Sequence, residues 1–337
     1  MKPKKIILPL LLILLTPPLW LLLTEWRPKI VEREIFDVQR VSLPDTLTLV
    51  SWNIGYAGLG EDMDFFYDGG TQTRTSREDS EQNMRAIISQ LKSLGDVDFI
   101  LLQEVDIHSK RGYYTNQLQQ ISEALNFEYV AFALNYNSQF VPIPIHNPMG
   151  RVKSGVAILS KYPFAQSVRW QYPSVPTLPT RLFDLKRAML SIAIPTTRGD
   201  TLWVNNTHNS AFDDGDMRHS EIEFINNTIS KMNHSITAGD WNTTPPTYTP
   251  SLASLTNEHF KPIPLTINEF APNVTIAADI SKESVRFLNT PYSPSQSITS
   301  MVDFAILDNK HLLLECKLLD LKFKNSDHNP VVITFLY

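Results

Sequence analysis

Apolar residues fall in short runs along most of the chain, and the spacing inside the runs changes with position. Leu47-Thr-Leu-Val-Ser-Trp-Asn53 and Asp98-Phe-Ile-Leu-Leu-Gln-Glu104 are nearly continuous in apolar side chains, the pattern of strands covered on both faces. Between them Met84, Ile87, Ile88 and Leu91 recur at helical spacing and predict an amphipathic helix over 80–94. A second helix is expected over 117–125 and a third over 221–231. Strands are expected over 129–134, 154–160, 188–194, 201–207, 235–240, 301–307 and 331–336. So many apolar strands, some separated by helices, exceed one twisted open sheet and predict α/β layers built on two sheets. The stretches 55–79, 135–153 and 243–300 are rich in Pro, Gly, Asn, Ser or Thr and read as rims or lids. No second domain or internal repeat is visible.

The start of the chain follows another rule. Lys2, Lys4 and Lys5 precede an uncharged apolar stretch from Ile6 to Leu23, long enough for a membrane span and interrupted by Pro17-Pro18. A cleaved signal would want small residues at its cleavage site, and Leu23-Thr-Glu-Trp26 has none. An uncleaved anchor over 1–26 is therefore expected, with a signal segment as the alternative. A mixed-charge linker over 27–45, with a strand over 34–41, then leads to a catalytic domain over 46–337. With the lysines held inside, that domain faces the periplasm or exterior.

Composition narrows the function. Thirty basic residues against thirty-five acidic ones give a net charge of -5, so no overall field draws the chain to nucleic acid, and an anionic substrate must be held locally. The single cysteine, Cys316, excludes an intramolecular disulfide and reads as a packing residue.

The candidate chemistry lies where the strands end. Buried strands are expected to finish in turn formers, yet these finish in Asn53, Glu104, His208 with Asn209, and Asp240 with Asn242. Ser326-Asp327-His328-Asn329-Pro330 sets an Asp–His pair at the mouth of another strand, and Asp303 lies inside one, where a charge is costly unless paired. A carboxylate on one imidazole nitrogen sets the tautomer and raises the basicity of the other. Arg218, ahead of a helix, reads as solvated, with phosphate contact as the alternative. Lys186 and Arg187, ahead of a strand, are open to the same two readings.

Ser51-Trp-Asn53, Leu102-Gln-Glu104, Ser154-Gly-Val-Ala-Ile-Leu-Ser160, Thr207-His208, Gly239-Asp-Trp-Asn242, Val302-Asp303 and Ser326-Asp-His-Asn-Pro330 occur in the order found in the endonuclease/exonuclease/phosphatase superfamily. The chain resembles that group, which includes deoxyribonuclease I, neutral sphingomyelinases and inositol-polyphosphate 5-phosphatases, from about residue 45 to its end. The resemblance implies an α/β four-layer sandwich, two mixed β-sheets flanked by helices. It implies Mg²⁺, with Mn²⁺ as the alternative, on Glu104, Asn53 and Asp327. It also implies catalytic roles for His328 oriented by Asp303, for Asp240 at the attacking water, and for His208 and Asn242 as donors to phosphoryl oxygens. Oxygen ligands suit such hard cations, whereas zinc would bring more His or Cys. Asn209 and Trp241 depart from the group's pattern and are expected to reshape the pocket.

The expected substrate is a lipid-linked or small-molecule phosphoester. The anchor and the loop aromatics Phe65, Phe66, Tyr67, Tyr136 and Phe140 favour it, while Arg74, Arg77, Lys110, Arg111, Arg151 and Lys153 make a thin track for nucleic acid. A nuclease is the alternative, and a non-catalytic membrane-tethered binding protein the second. No obligate protein partner is inferred.

Overall fold

A computed structural model describes residues 16–211, 216–256, 263–272 and 274–337. Two large sheets form its centre. Its main strands are β1 (Val31–Ile35), β2 (Thr46–Asn53), β3 (Phe99–Asp106), β4 (Tyr129–Val141), β5 (Gly150–Ser160), β6 (Gln166–Gln171) and β7 (Ala188–Pro195). They continue with β8 (Thr201–His208), β9 (Ser235–Asp240), β10 (Val274–Ala277), β11 (Asp303–Asp308), β12 (Leu312–Leu318) and β13 (Val331–Leu336). The seven-stranded sheet runs β1-β6-β7-β8-β9-β11-β10 and the six-stranded sheet β12-β13-β2-β3-β5-β4. Each is antiparallel except for one pair, β2 with β3 and β8 with β9. A parallel pair needs a crossover, and helices α1 (Arg77–Ser93) and α3 (Asp216–Ile229) supply the two.

Residue type explains the layering. Along β2, Leu47 and Leu49 join the core between the sheets, while Val50 and Trp52 join the core beneath α1 and α2 (Gln117–Leu125). One strand thus feeds two cores, as its continuous apolar run predicts. Helix α1 begins where the Ser76 side chain accepts from the Asp79 N–H, and it buries Met84, Ile87 and Leu91. Ile222, Ile225 and Ile229 of α3 pack on the other sheet, giving helix, sheet, sheet, helix: the expected four-layer sandwich.

Some expectations need correction. The segment read as a linker holds β1, which pairs with β6 in place of a strand over 34–41; Val41 makes only an isolated bridge to Thr196. Trp241 does not shape the pocket. It is fully buried, stacked on Phe304 at 4.9 Å, with its indole N–H on the Phe304 carbonyl at 2.9 Å. Asn209 is equally buried, and its backbone bonds both Asp240 and the Asn242 side chain. Cys316 is half-buried against the core, and burial pushes its thiol up to about 12. Residues 1–15 of the expected anchor lie outside the described residues. Residues 16–23 are helical, and among the described residues no helix is long and apolar enough to cross a membrane.

Candidate active site

The register of one sheet and the ends of the other build the site. His208, Asp240 and Asp303 are directly paired across β8, β9 and β11, which sets them at one level. At the same end of the six-stranded sheet, β2 finishes at Asn53 and β13 begins just after His328. The two ends meet where Asn53 Nδ2 donates to Asp240 Oδ2 at 3.0 Å. Within the sandwich, Gln103 Nε2 donates to Asn206 Oδ1 at 2.7 Å, and Asn206 in turn donates to the carbonyls of Leu102 and Ala157. These buried amides pin the sheets together near the site. Sequence reasoning missed them, although paired Asn residues in the apolar run over 201–207 were the available signal.

Backbone conformation aims individual groups. The β3–β5 register shifts between Leu102 and Val105, and Glu104 within that bulge has φ 54, a left-handed conformation costly outside glycine. Asn242 has φ 50, a conformation asparagine tolerates. Its N–H donates to Asp240 Oδ1 at 2.9 Å, its side-chain amide donates to the Asn209 carbonyl at 2.8 Å, and its own carbonyl accepts from Arg218 Nη1 at 2.7 Å. Arg218 is accordingly not solvated but buried, holding the turn after β9. Lys186 is likewise buried and donates to the Arg181 carbonyl at 2.8 Å. Arg187 does line the site, and its Nη1 is buried with no hydrogen-bond partner among the described residues.

The electrostatics separate the two histidines. His328 Nδ1 lies 2.7 Å from Asp303 Oδ2, and Nε2 lies 3.7 Å from Asp240 Oδ2. Burial opposes its charge, but Asp303 and Asp240 outweigh burial and hold the imidazolium pKa well above the usual range. His208 Nε2 is 3.4 Å from Asp240 Oδ2, yet burial, reinforced by Arg187, His328 and Arg111, pushes its pKa well down, so it is neutral at pH 7. Burial pushes Asp240 up to about 6, against the pull of His328 and with that of Asp303. Asp327 rises to about 7 through burial, opposed by His328 and reinforced by the Glu104 charge.

Asp240, Asp303 and His328 bring ligand-type atoms within 4.8 Å of one another, but Asp303 and His328 are already engaged with each other. Glu104 and Asp327 are the carboxylates that repel across the cavity wall, an all-oxygen donor set that a hard divalent cation would fit and relieve. All eight sequence-predicted residues thus share one end of the sandwich. Six of them line or touch a cavity of about 710 Å³ (Glu104, His208, Asp240, Asn242, Asp327 and His328), while Asn53 and Asp303 bond to that group from behind. The wall also carries Tyr56, Tyr67, Tyr136, Ile143, Met149 and Phe183, with Asp68, Arg111, Asp184 and Arg286 among them.

Comparisons with known proteins bear on the fold. No curated protein matches the chain in sequence. Among solved structures, an endonuclease/exonuclease/phosphatase from Beutenbergia cavernae superposes with a TM-score of 0.59 at 16% identity, covering 87% of this chain and 72% of that one. TDP2 of D. rerio, complexed with single-strand DNA product, gives 0.55 at 15% over 87% of this chain and 100% of its own. ANGEL2, a 2′,3′-cyclic phosphatase, gives 0.54 at 15% over 91% and 98%. At such identities the likeness concerns the fold. The model of the Endonuclease/Exonuclease/phosphatase family matches residues 50–328, a span that opens on β2 ahead of Asn53 and closes on His328; with that span and this sandwich, the chain belongs to the Endonuclease/Exonuclease/phosphatase family.

Proposed function

We propose that this protein is a Mg²⁺-dependent hydrolase, with Mn²⁺ as the alternative ion, acting on a lipid-linked or small-molecule phosphoester at the outer face of a membrane. The observation that carries the reading is the Asp303–His328–Asp240 chain opening into a cavity that adds aromatic and aliphatic side chains to these polar groups. A phosphate ester repels nucleophiles with its own charge, so the site must neutralise that charge and orient water. Glu104 and Asp327 would hold the cation, whose chemistry is to neutralise phosphoryl oxygens, while Asn53, expected beside them, keeps its amide on Asp240 and its Oδ1 on the Gly55 N–H. Asp240, ionised above about 6, accepts the proton of the attacking water. The His328 imidazolium, fixed by Asp303, faces the phosphoryl group as a charged donor. Neutral His208 and the Asn242 amide supply further donors, and Arg187 offers its unpartnered Nη1.

The charge inventory favours a substrate with few phosphates. Arg111 is paired with Asp106 at 3.1 Å, Arg286 donates to the carbonyls of Gly60 and Met63, and Asp68 and Asp184 sit in the cavity wall. A nucleic-acid backbone would meet few free cations there. The test is release from a chromogenic bis-phosphodiester with Mg²⁺, beside sphingomyelin, phosphatidylinositol and plasmid substrates. Asp240→Ala and His328→Ala are expected to lose hydrolysis by about 10²-fold or more while remaining folded by circular dichroism. Near-wild-type turnover in either variant sinks the assignment, and plasmid nicking alone makes the protein a nuclease.

A further inference from the structure

The chain leading out of the apolar N-terminal stretch is fastened to the wall of the cavity. Glu25 follows the helical residues 16–23, and its carboxylate is almost completely buried. It accepts from Arg27 Nε at 3.0 Å and from Arg181 Nε at 2.9 Å, with Lys186 Nζ at 3.9 Å. The next residue, Trp26, lies 5.2 Å from the guanidinium of Arg169, which is itself anchored on the carbonyls of Leu134 and Lys186. Arg181 and Lys186 belong to the β6–β7 connection, whose Val175, Pro176, Thr177 and Phe183 line the cavity. The Glu25 side chain is covered by its partners, but Arg27 and Arg181 reach solvent, 68% and 35% exposed, so the pairs fix the position of the chain more than they stabilise the fold.

Around that clamp the surface is apolar where solvent would favour polar groups. Leu23 is 78% exposed and Leu19 and Trp20 about half, just before Glu25. Leu178 is 54% exposed, and Val175 reaches both the cavity and the outside. Ile145, 91% exposed, tips the loop whose two ends, Ile143 and Met149, line the cavity and pack in one cluster with Phe183 and Leu185 of the β6–β7 connection. Exposed large apolar residues gathered on the loops of one rim mark a contact surface. The occupant follows from the chain: the same rim is tied to the segment that continues the uncharged run from Ile6, behind Lys2, Lys4 and Lys5.

We propose that residues 19–23 and the rim loops carrying Ile145, Val175 and Leu178 form one lipid-binding face that seats the cavity mouth on the bilayer surface. Glu25 is its positioning residue: it locks the membrane-proximal chain to the cavity wall and so sets the orientation of the catalytic end. This rests on the membrane attachment proposed above but not on hydrolysis, so the two can fail separately.

The test uses the full chain in phosphatidylcholine–phosphatidylglycerol vesicles, in a Cys316→Ser background, with an environment-sensitive fluorophore on a single cysteine. The labelled variants are Ile145→Cys, Val175→Cys and Leu178→Cys, with Lys310→Cys as control at the far end of β11. Vesicles are expected to shift the rim labels to the blue and expose them to brominated-lipid quenching, while the label at 310 is unchanged. Glu25→Gln and Arg181→Ala are expected to remain vesicle-bound and to hydrolyse the soluble chromogenic diester normally, yet lose most of the rim-label shift. Rim labels that ignore lipid, a control label that responds equally, or a shift that follows protein concentration without lipid, as a second copy on this face would give, each overturns the proposal. Failure of the full chain to float with vesicles overturns it together with the membrane attachment, leaving the hydrolysis reading intact.

Discussion

His328 sits between two carboxylates that do different things. Asp303 is fully buried behind it and holds Nδ1, whereas Asp240 lies across Nε2 and also receives the Asn53 amide. Asp303→Asn puts an amide where an anionic acceptor stands, which removes both the charge and the tautomer control. It is expected to lower kcat by about 10²-fold or more with a small change in KM. An unchanged kcat takes Asp303 out of the chemistry. Asp240, the proposed proton acceptor, and Asp327, a proposed cation ligand, make stability depend on pH. Asp240 at about 6 and Asp327 at about 7 lie above their unfolded values of about 3.9, so the cation-free folded state binds extra protons. Stability from these groups is therefore present at acid pH and lost as pH rises through about 6 to 7. A cation takes only the deprotonated site, so it must displace protons below that window, and its affinity falls about tenfold per pH unit for one proton. The rise in Tm on adding Mg²⁺ is expected to be larger at about pH 8 than at about pH 6. Equal shifts at the two values remove Asp327 from the cation site.

Among the elements, the turn after β2 carries the tightest constraint. Gly55 has φ +48, and a Cβ there would fall 2.7 Å from Asp327 Oδ1. Its N–H also holds Asn53 Oδ1 at 3.0 Å. Gly55→Ala is expected to cost about 1–3 kcal/mol by chemical denaturation and to weaken the Mg²⁺-induced Tm rise. A variant of normal stability and full Mg²⁺ response contradicts the close approach. Elements with a clean period were legible: α2 spans Gln117–Leu125 as its spacing predicts, and β2 and β9 end on Asn53 and Asp240, whereas β3 runs past Glu104 to Asp106 through the bulge that holds it. Those missed carry mixed patterns. Within β6, Gln166-Ser-Val-Arg-Trp-Gln171, the buried Arg169 is satisfied by the Leu134 and Lys186 carbonyls, a compensation that local sequence does not reveal. Edge strand β1 is charged and mostly exposed, so it reads as linker until β6 is there to pair with it.

At the scale of the molecule, the decisive quantity is where positive charge is left over. The net charge of -5 and the internal commitments of Arg111, Arg218 and Arg286 leave few free cations among the described residues that line the cavity. Hydrolysis of a small phosphodiester at fixed free Mg²⁺ is therefore expected to change its KM by less than about threefold between 50 and 200 mM salt, where multi-phosphate contacts would cost about 10³ or more. A steep salt dependence would instead favour a polyanionic substrate. The sandwich brings together loops far apart in sequence, so a single cavity is bounded by Tyr56, Tyr136, Phe183 and Phe287.

The sequence by itself determined the two-sheet α/β class and the identity of the eight polar groups at one end of it. The class follows from a local rule, that a continuous apolar run must be covered on both faces; the eight groups stand out because polar ligands at strand ends need partners and because their motifs occur in the family's order. Only the tertiary structure decided how those groups divide their work. His208 is neutral and His328 charged because burial acts on both, whereas Asp303 and Asp240 dominate the field at His328. Which arginines hold the scaffold, which one is left to face the cavity, and how Glu25 ties the N-terminal chain to the cavity wall are likewise matters of long-range contact, set by side chains more than a hundred residues apart in some cases. No periodicity along the chain encodes such distances.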